Sequence, residues 1–196
     1  SNESSEIVRM LGSEFDDLIG EEYKKIVVYP EALQKEIEET HSWVYDLINN
    51  GVYKSGFATT SEAYERNVIA LFEALDRAEK HLAGQKDGPY WFGKQLTEVD
   101  IRLYVTIVRF DPVYVQHFKC NIRDIRSGYP ALNNWMRNLY WKHPAFGETT
   151  QFEHIKWHYT RSHTQINPPS ITPVGPLPNI LPLDEEVPAV AAALKK

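Results

Sequence analysis

One stretch, Leu96 to Phe118 (LTEVDIRLYVTIVRFDPVYVQHF), constrains this chain more than any other. Thr97 followed three residues later by Asp100 is a capping pattern in which each side chain can accept the other's backbone N–H, and Leu96 and Ile101 can close a hydrophobic staple over that turn. From there Ile101, Leu103, Tyr104, Val105, Ile107 and Val108 occupy more than one side of a helix, a pattern that a surface helix does not carry. The stretch predicts a central helix wrapped by others. Pro112 has no backbone donor and disfavours helix at Asp111, so a kink or stop is expected there, with a restart through Val113 to Phe118.

The wrapping helices follow from periodicity. Pro30 suits a first helical position, and Leu33, Ile37, Val44, Leu47 and Ile48 keep helical spacing up to Asn50-Gly51, which reads as a C-terminal stop. After the expected loop GVYKSGFATT, Ser61 is placed to cap a second helix with Tyr64, Val68, Leu71, Leu75, Ala78 and Leu82 on one face, ending near Gly84. Pro130 to His143, with Leu132, Trp135, Met136 and Leu139 inward, and Gln151 to Tyr159 give two more. Upstream, SNESSEIVRML reads as a helix start that Ser4 or Ser5 can cap, and residues 12–29 read as loop with short helix. The chain begins without methionine and is expected to be a fragment. From Ile166 onward, seven of the twelve prolines fall in the last 31 residues, which predicts an extended tail. Ile171, Val174, Leu177, Ile180, Leu181 and Leu183 are more apolar than a free linker allows, so part of the tail should lie on the bundle while the AVAAALKK end stays loose. The fold class is all-α.

Composition narrows the partners. A net charge of -6 with no long Lys/Arg run argues against nucleic acid, and no apolar run reaches the roughly 18 residues of a membrane span. The single cysteine, Cys120, excludes an internal disulfide framework and suits a reducing, cytoplasmic location.

Few residues suggest chemistry by themselves. Tyr53 in NGVYKSGFA, Tyr114 in DPVYVQHFKCN and Tyr159 in HIKWHYTRSH could line a pocket as phenol donors, or could simply pack, as aromatic residues commonly do. His154 and His158 share a helix face at a spacing that zinc uses, but beyond a speculative His163 no third ligand is evident. Cys120 follows a helix instead of preceding one, so a structural thiol is favoured over a nucleophile, despite Lys119 and Arg123 nearby. No phosphate loop, nucleophile elbow or Cys-x-x-Cys is present.

The phrases NESSEI, NGVYKSGFA, LTEVDIRLYVTIVRFDPVYVQHFKCN, YPALNNWMRNLY and HYTRSH resemble the glutathionyl-hydroquinone reductases, the Xi class of the glutathione transferases, over about residues 1–183. That resemblance implies a glutathione-transferase C-terminal helical bundle over residues 30–165. It implies that residues 1–29 are the last helix of a thioredoxin-like domain plus a linker, and leaves 166–196 as the tail. The family's catalytic cysteine lies in a C-P-W motif of the thioredoxin-like domain, which is absent here, so no residue of this chain inherits the nucleophile.

What the resemblance carries over is binding. Glu3 and Ser4 match the acidic-Ser pair that holds the γ-glutamyl end of glutathione, and Tyr53, Tyr114 and Tyr159 fall in phrases that border the pocket for a small aromatic quinol. The implied activity is glutathione-dependent reduction of glutathionyl-hydroquinones through a cysteine–glutathione disulfide, without a metal, in a homodimer. The rivals are a non-catalytic helical binding or scaffold module and, more remotely, a metal-dependent hydrolase built on His154 and His158.

Overall fold

A computed structural model describes residues 1–186; the AVAAALKK end falls outside the described residues. Among the described residues there is no strand, only two isolated antiparallel bridges, Tyr90 with Gly93 and Phe92 with Gln95, in the turn before the central helix. The helices are α1 (Ser4–Leu11), α2 (Gln34–Trp43), α3 (Gly51–Gly56), α4 (Ser61–Gly84), α5 (Glu98–Arg109), α6 (Val115–His117), α7 (Ile125–Gly128), α8 (Pro130–Lys142), α9 (Pro144–Gly147) and α10 (Phe152–Ser162).

Helix α5 is central, as its residues require. Val99, Leu103, Ile107 and Val108 are buried, and so are the polar Thr97, Glu98 and Asp100 at its start. The capping box forms: the Asp100 carboxylate accepts the Thr97 backbone N–H at 2.9 Å and the Thr97 hydroxyl at 3.3 Å. Its other oxygen accepts the Trp91 backbone N–H at 2.8 Å and the Trp135 indole N–H at 2.9 Å, so one carboxylate joins the preceding turn, α5 and α8. At Pro112 the helix neither stops nor breaks. A π-helical turn over Phe110–Tyr114 absorbs the missing donor and hands on to α6.

Several helix boundaries differ from those read in the sequence; Pro30, for one, has an extended backbone ahead of a short 3-10 turn instead of opening the helix. Asn50-Gly51 does not end the first long helix: a π-helical turn over Val44–Asn49 leads straight into α3, with the Asn50 N–H donating to Tyr45 O at 2.9 Å. Gly51 lies where this helix passes α4, and a Cβ there would make an ordinary contact, 3.4 Å from Leu71 Cδ1. Tyr53 therefore sits on a helix and not in a loop. Likewise Thr60, not Ser61, caps α4, its hydroxyl accepting from the Ala63 N–H at 3.2 Å with an extended backbone that Ser61, already helical, lacks. At the amino end Glu3 occupies the cap position of α1 with no side-chain cap bond, in place of Ser4 or Ser5, both of which lie inside the helix.

The tail does lie partly on the bundle. Ile180 and Leu181 are buried, and the Leu181 carbonyl accepts from Arg137 Nε at 3.1 Å and Trp141 Nε1 at 2.9 Å. Ile171, Val174 and Leu177 remain exposed, so attachment is mainly polar before residue 180. Lys156 Nζ donates to Val174 O at 2.8 Å there.

Removing the buried hub should be costly. Asp100→Ala leaves the Trp91 amide and Trp135 indole buried without acceptors and is expected to lower stability by about 3 kcal/mol or more, whereas Thr97→Ala should cost about 1 kcal/mol. Urea titrations with unchanged slope check both, and equal losses for the two variants would refute the hub.

Candidate functional site

A cleft of about 600 Å³ opens between α5, the α2–α3 helix and α10. Helix α5 contributes Arg102, Val105, Thr106 and Arg109, a three-to-four-residue stripe along one face. The α2–α3 helix contributes Tyr45, Asn49, Asn50 and Tyr53, and α10 contributes His154, Ile155, His158 and Tyr159. Tyr114 reaches the cleft from the π turn at Pro112, and Ser4 stands at its edge from α1. Thr106 is oriented by Asn49, whose Nδ2 donates to the Thr106 hydroxyl at 2.6 Å and to Arg102 O at 3.0 Å.

The three tyrosines singled out in the sequence meet. Tyr159 Oη lies 2.6 Å from Tyr53 Oη and 2.9 Å from Tyr114 Oη, so the three hydroxyls form one chain with Tyr159 in the middle. Burial, followed by the neighbouring phenols, pushes Tyr114 far above the ordinary phenol range, and burial does the same to Tyr159. Tyr114 and Tyr159 stay protonated at neutral pH. Two hydrogen bonds consume two of three protons, so the chain has one O–H left to offer a ligand. Tyr53 is the member that solvent reaches, at 38% exposure.

The chain rests on an aromatic bed that depends on a glycine. Phe118 stacks on Tyr114 with centroids 5.5 Å apart and meets Tyr53 edge-on at 5.3 Å. A Cβ on Gly56 would come within 2.1 Å of Phe118 Cδ1, so only glycine there lets α3 approach the ring. Cys120 belongs to the same packing and not to the cleft. It is fully buried, its thiol near Phe118 O and Val52 O, and burial pushes it up to about 12. A structural thiol is what that environment makes of it.

Ser4 is held near the cleft by a buried ion cluster. Glu98 has no exposed side-chain surface and accepts from Arg9 Nη2 at 2.6 Å, Arg9 Nε at 3.0 Å and His41 Nε2 at 2.9 Å. Arg9 also pairs with Glu38 at 2.6 Å and lies 3.8 Å over the Tyr29 ring. Burial would raise the Glu98 pKa, but the bonds from His41 and Arg9 outweigh it and hold the carboxyl down at about 2. The Glu98 N–H donates to Val28 O at 2.8 Å, so the segment after α1 is fastened to the same point.

Other expectations fare differently. Glu3 is exposed at the cap of α1 and is not among the residues that line the cleft. His154 and His158 both line it, but His163 is engaged elsewhere, its Nδ1 being 3.1 Å from His117 Nε2. Among the described residues no group of three His, Cys, Asp or Glu could hold a metal. Tyr45, Asn49, Arg102 and Arg109 also line the cleft, although no motif in the sequence marks them. Their spacing, 45-49-53 and 102-105-106-109, was the available signal once the two helices were known to face each other.

Comparison with known proteins bears on this geometry. Residues 61–138 match the family model described as glutathione S-transferase, C-terminal domain. The curated protein glutathione S-transferase omega-like 2 of Schizosaccharomyces pombe is 60% identical over 181 residues, covering 92% of this chain and 58% of that protein. The crystal structure of the glutathione-S-transferase Xi from Phanerochaete chrysosporium superposes with a TM-score of 0.90 at 62% identity, over 94% of this chain and 58% of that one. Glutathionyl-hydroquinone reductase YqjG of Escherichia coli is 50% identical over 90% of this chain and 51% of its own length, and its glutathione-bound structure matches with a TM-score of 0.82 at 48% identity, over 94% and 56%. The chain spans a little over half the length of these relatives.

The Glu98 cluster gives the protein an acid-sensitive joint. Because the folded carboxyl titrates at about 2 against an ordinary 4.5, its contribution is complete above pH 4.5 and is lost as pH falls towards 2. A loss of about 3 kcal/mol across that window is expected, at about 1.4 kcal/mol per unit of displacement. Denaturation at pH 5 and pH 2.5 measures it; Glu98→Gln should flatten the difference, and a Gln variant with undiminished acid sensitivity would place the effect elsewhere.

Proposed function

This chain belongs to the Xi class of the glutathione transferases, and on that premise we propose that its cleft receives the aromatic ring of a glutathionyl-hydroquinone for glutathione-dependent reduction. The observation that carries the reading is the meeting of the Tyr53, Tyr114 and Tyr159 hydroxyls in a cleft whose edge holds Ser4. In the proposed reaction a thiolate attacks the glutathione sulfur of the adduct. The carbon–sulfur bond breaks, its electron pair goes to the ring carbon, which takes up a proton, and a protein–glutathione disulfide remains for a second glutathione to resolve. The tyrosine chain can donate its spare proton to a ring oxygen and disperse the charge that builds on the ring as carbon leaves sulfur.

Glutathione lies beside the ring in this reading. Ser4 and the N–H groups of the first turn of α1, which no side chain caps, would take its γ-glutamyl carboxylate, and Glu3 its ammonium. The attacking thiolate comes from outside these residues, since Cys120 is sealed in the core and held protonated. Association through the helical domains into a homodimer belongs to the same proposal.

Two outcomes are expected. In the enzyme with its reactive thiol, Tyr159→Phe should lower kcat/KM for a glutathionyl-hydroquinone by about 1 to 3 kcal/mol of transition-state stabilisation, with Tyr53→Phe and Tyr114→Phe following and glutathione binding little changed. Full activity in all three Phe variants would return the tyrosines to packing. The 196-residue chain alone should show no thiol transfer; activity that disappears in Cys120→Ser would overturn the structural assignment of that thiol.

A further inference from the structure

The cleft's charge runs against that of the chain. The protein has a formal net charge of -6, yet the residues lining the cleft include Arg102 and Arg109 and no aspartate or glutamate. Arg102 has a side chain only 18% exposed, and the nearest carboxylate, Glu98, is 4.0 Å away. That carboxylate already takes three shorter bonds from Arg9 and His41. Among the described residues the Arg102 guanidinium makes no hydrogen bond, and burial works against its charge. Two turns along, Arg109 donates to Val105 O of its own helix at 2.6 Å and meets no carboxylate among the described residues. Between the two lies Val105, an apolar side chain 45% exposed in the middle of the stripe, which gives a ring a face to rest on.

A neutral quinol would leave this arrangement unsatisfied. A mostly buried guanidinium with no hydrogen-bond acceptor and only a long ion pair to Glu98 bears a desolvation cost that an anion can relieve, and a carboxylate matches its fork with two parallel bonds. Resting on the reading of this cleft as the ring pocket, we propose that the ring it prefers carries a carboxylate, received by Arg102 and Arg109 while a ring hydroxyl meets the tyrosine chain. His154 and His158 on the facing wall add donors and no negative charge. A carboxylate could also come from glutathione itself, so the test must separate the two sources.

Titration calorimetry of the full protein with 2-naphthol, 6-hydroxy-2-naphthoate and glutathione does so. The expected result is at least tenfold tighter binding of 6-hydroxy-2-naphthoate than of 2-naphthol, a preference that shrinks with added salt. Arg102→Gln and Arg109→Gln should each reduce it below threefold, and Arg102→Lys, which keeps the charge but not the fork, should retain part of it. Equal affinity for the two naphthalenes in the unmodified protein overturns the proposal and leaves the ring pocket standing. Failure of both to bind overturns the pocket reading with it. Competition between glutathione and 6-hydroxy-2-naphthoate, with glutathione binding lost in the Gln variants, assigns the guanidinium groups to the peptide and overturns the ring carboxylate.

Discussion

Asp100 is the constraint on which the rest of the structure depends. A fully buried carboxylate is tolerable only when its lone pairs are met, and here four donors meet them: the Thr97 amide and hydroxyl, the Trp91 amide and the Trp135 indole. These donors belong to three segments, so α5 is fixed along its axis and in rotation. At about 100° per residue, positions 98, 102, 105 and 109 fall on one side of the helix, and Asp100, Leu103 and Ile107 on the other. The rotation that points Asp100 at Trp135 therefore also points Glu98 at Arg9 and the Arg102–Arg109 stripe into the cleft.

Of the three helical elements around the cleft, the α2–α3 helix and the one that starts as α5 contain a π turn, and each turn delivers cleft residues. Val44–Asn49 carries Tyr45 and Asn49, and Phe110–Tyr114 carries Tyr114. The extra residue in such a turn shifts the following side chains by about a quarter turn, which is how a helix that must pack against α4 can also face the cleft. In the second turn Asp111 adds an anchor by accepting the Ile125 and Arg126 amides at 2.7 and 3.0 Å, fixing the ladder around Pro112.

Much of this was legible in the residues, and the misses have physical causes. The capping pattern and all-round apolar surface of α5, the spacing in α4 and the inward face of α8 all predict what is found, because each is a local rule with a repeating period. Asn50-Gly51 misled because a π-helical turn carries the helix through the pair into α3, a continuation that the local pattern does not encode. Gly56 was out of reach for another reason, since what requires it is Phe118, some sixty residues away. The tyrosines came forward through the resemblance of their phrases; composition alone could not separate a hydroxyl in a pocket from one in a core. The arginine stripe was in view, but it gained meaning only when α10 and α2–α3 closed around it.

The protonation of the site limits what it can do. Burial raises Tyr114 and Tyr159 far above neutrality and Cys120 to about 12, so beside the imidazoles of His154 and His158 the cleft offers phenol donors and cations and no thiolate. In the proposed reaction such a site holds the ring, supplies one polarised proton and stabilises negative charge, while the thiolate that opens the carbon–sulfur bond comes from elsewhere. In the proposed reaction the nucleophile comes from the side where Ser4 stands, and the Arg9–Glu98 pair holds α1 at that edge. Proximity of that kind depends on sub-ångström placement, which is a reason for a surface helix to be fastened by a buried ion pair and not by loose apolar contact.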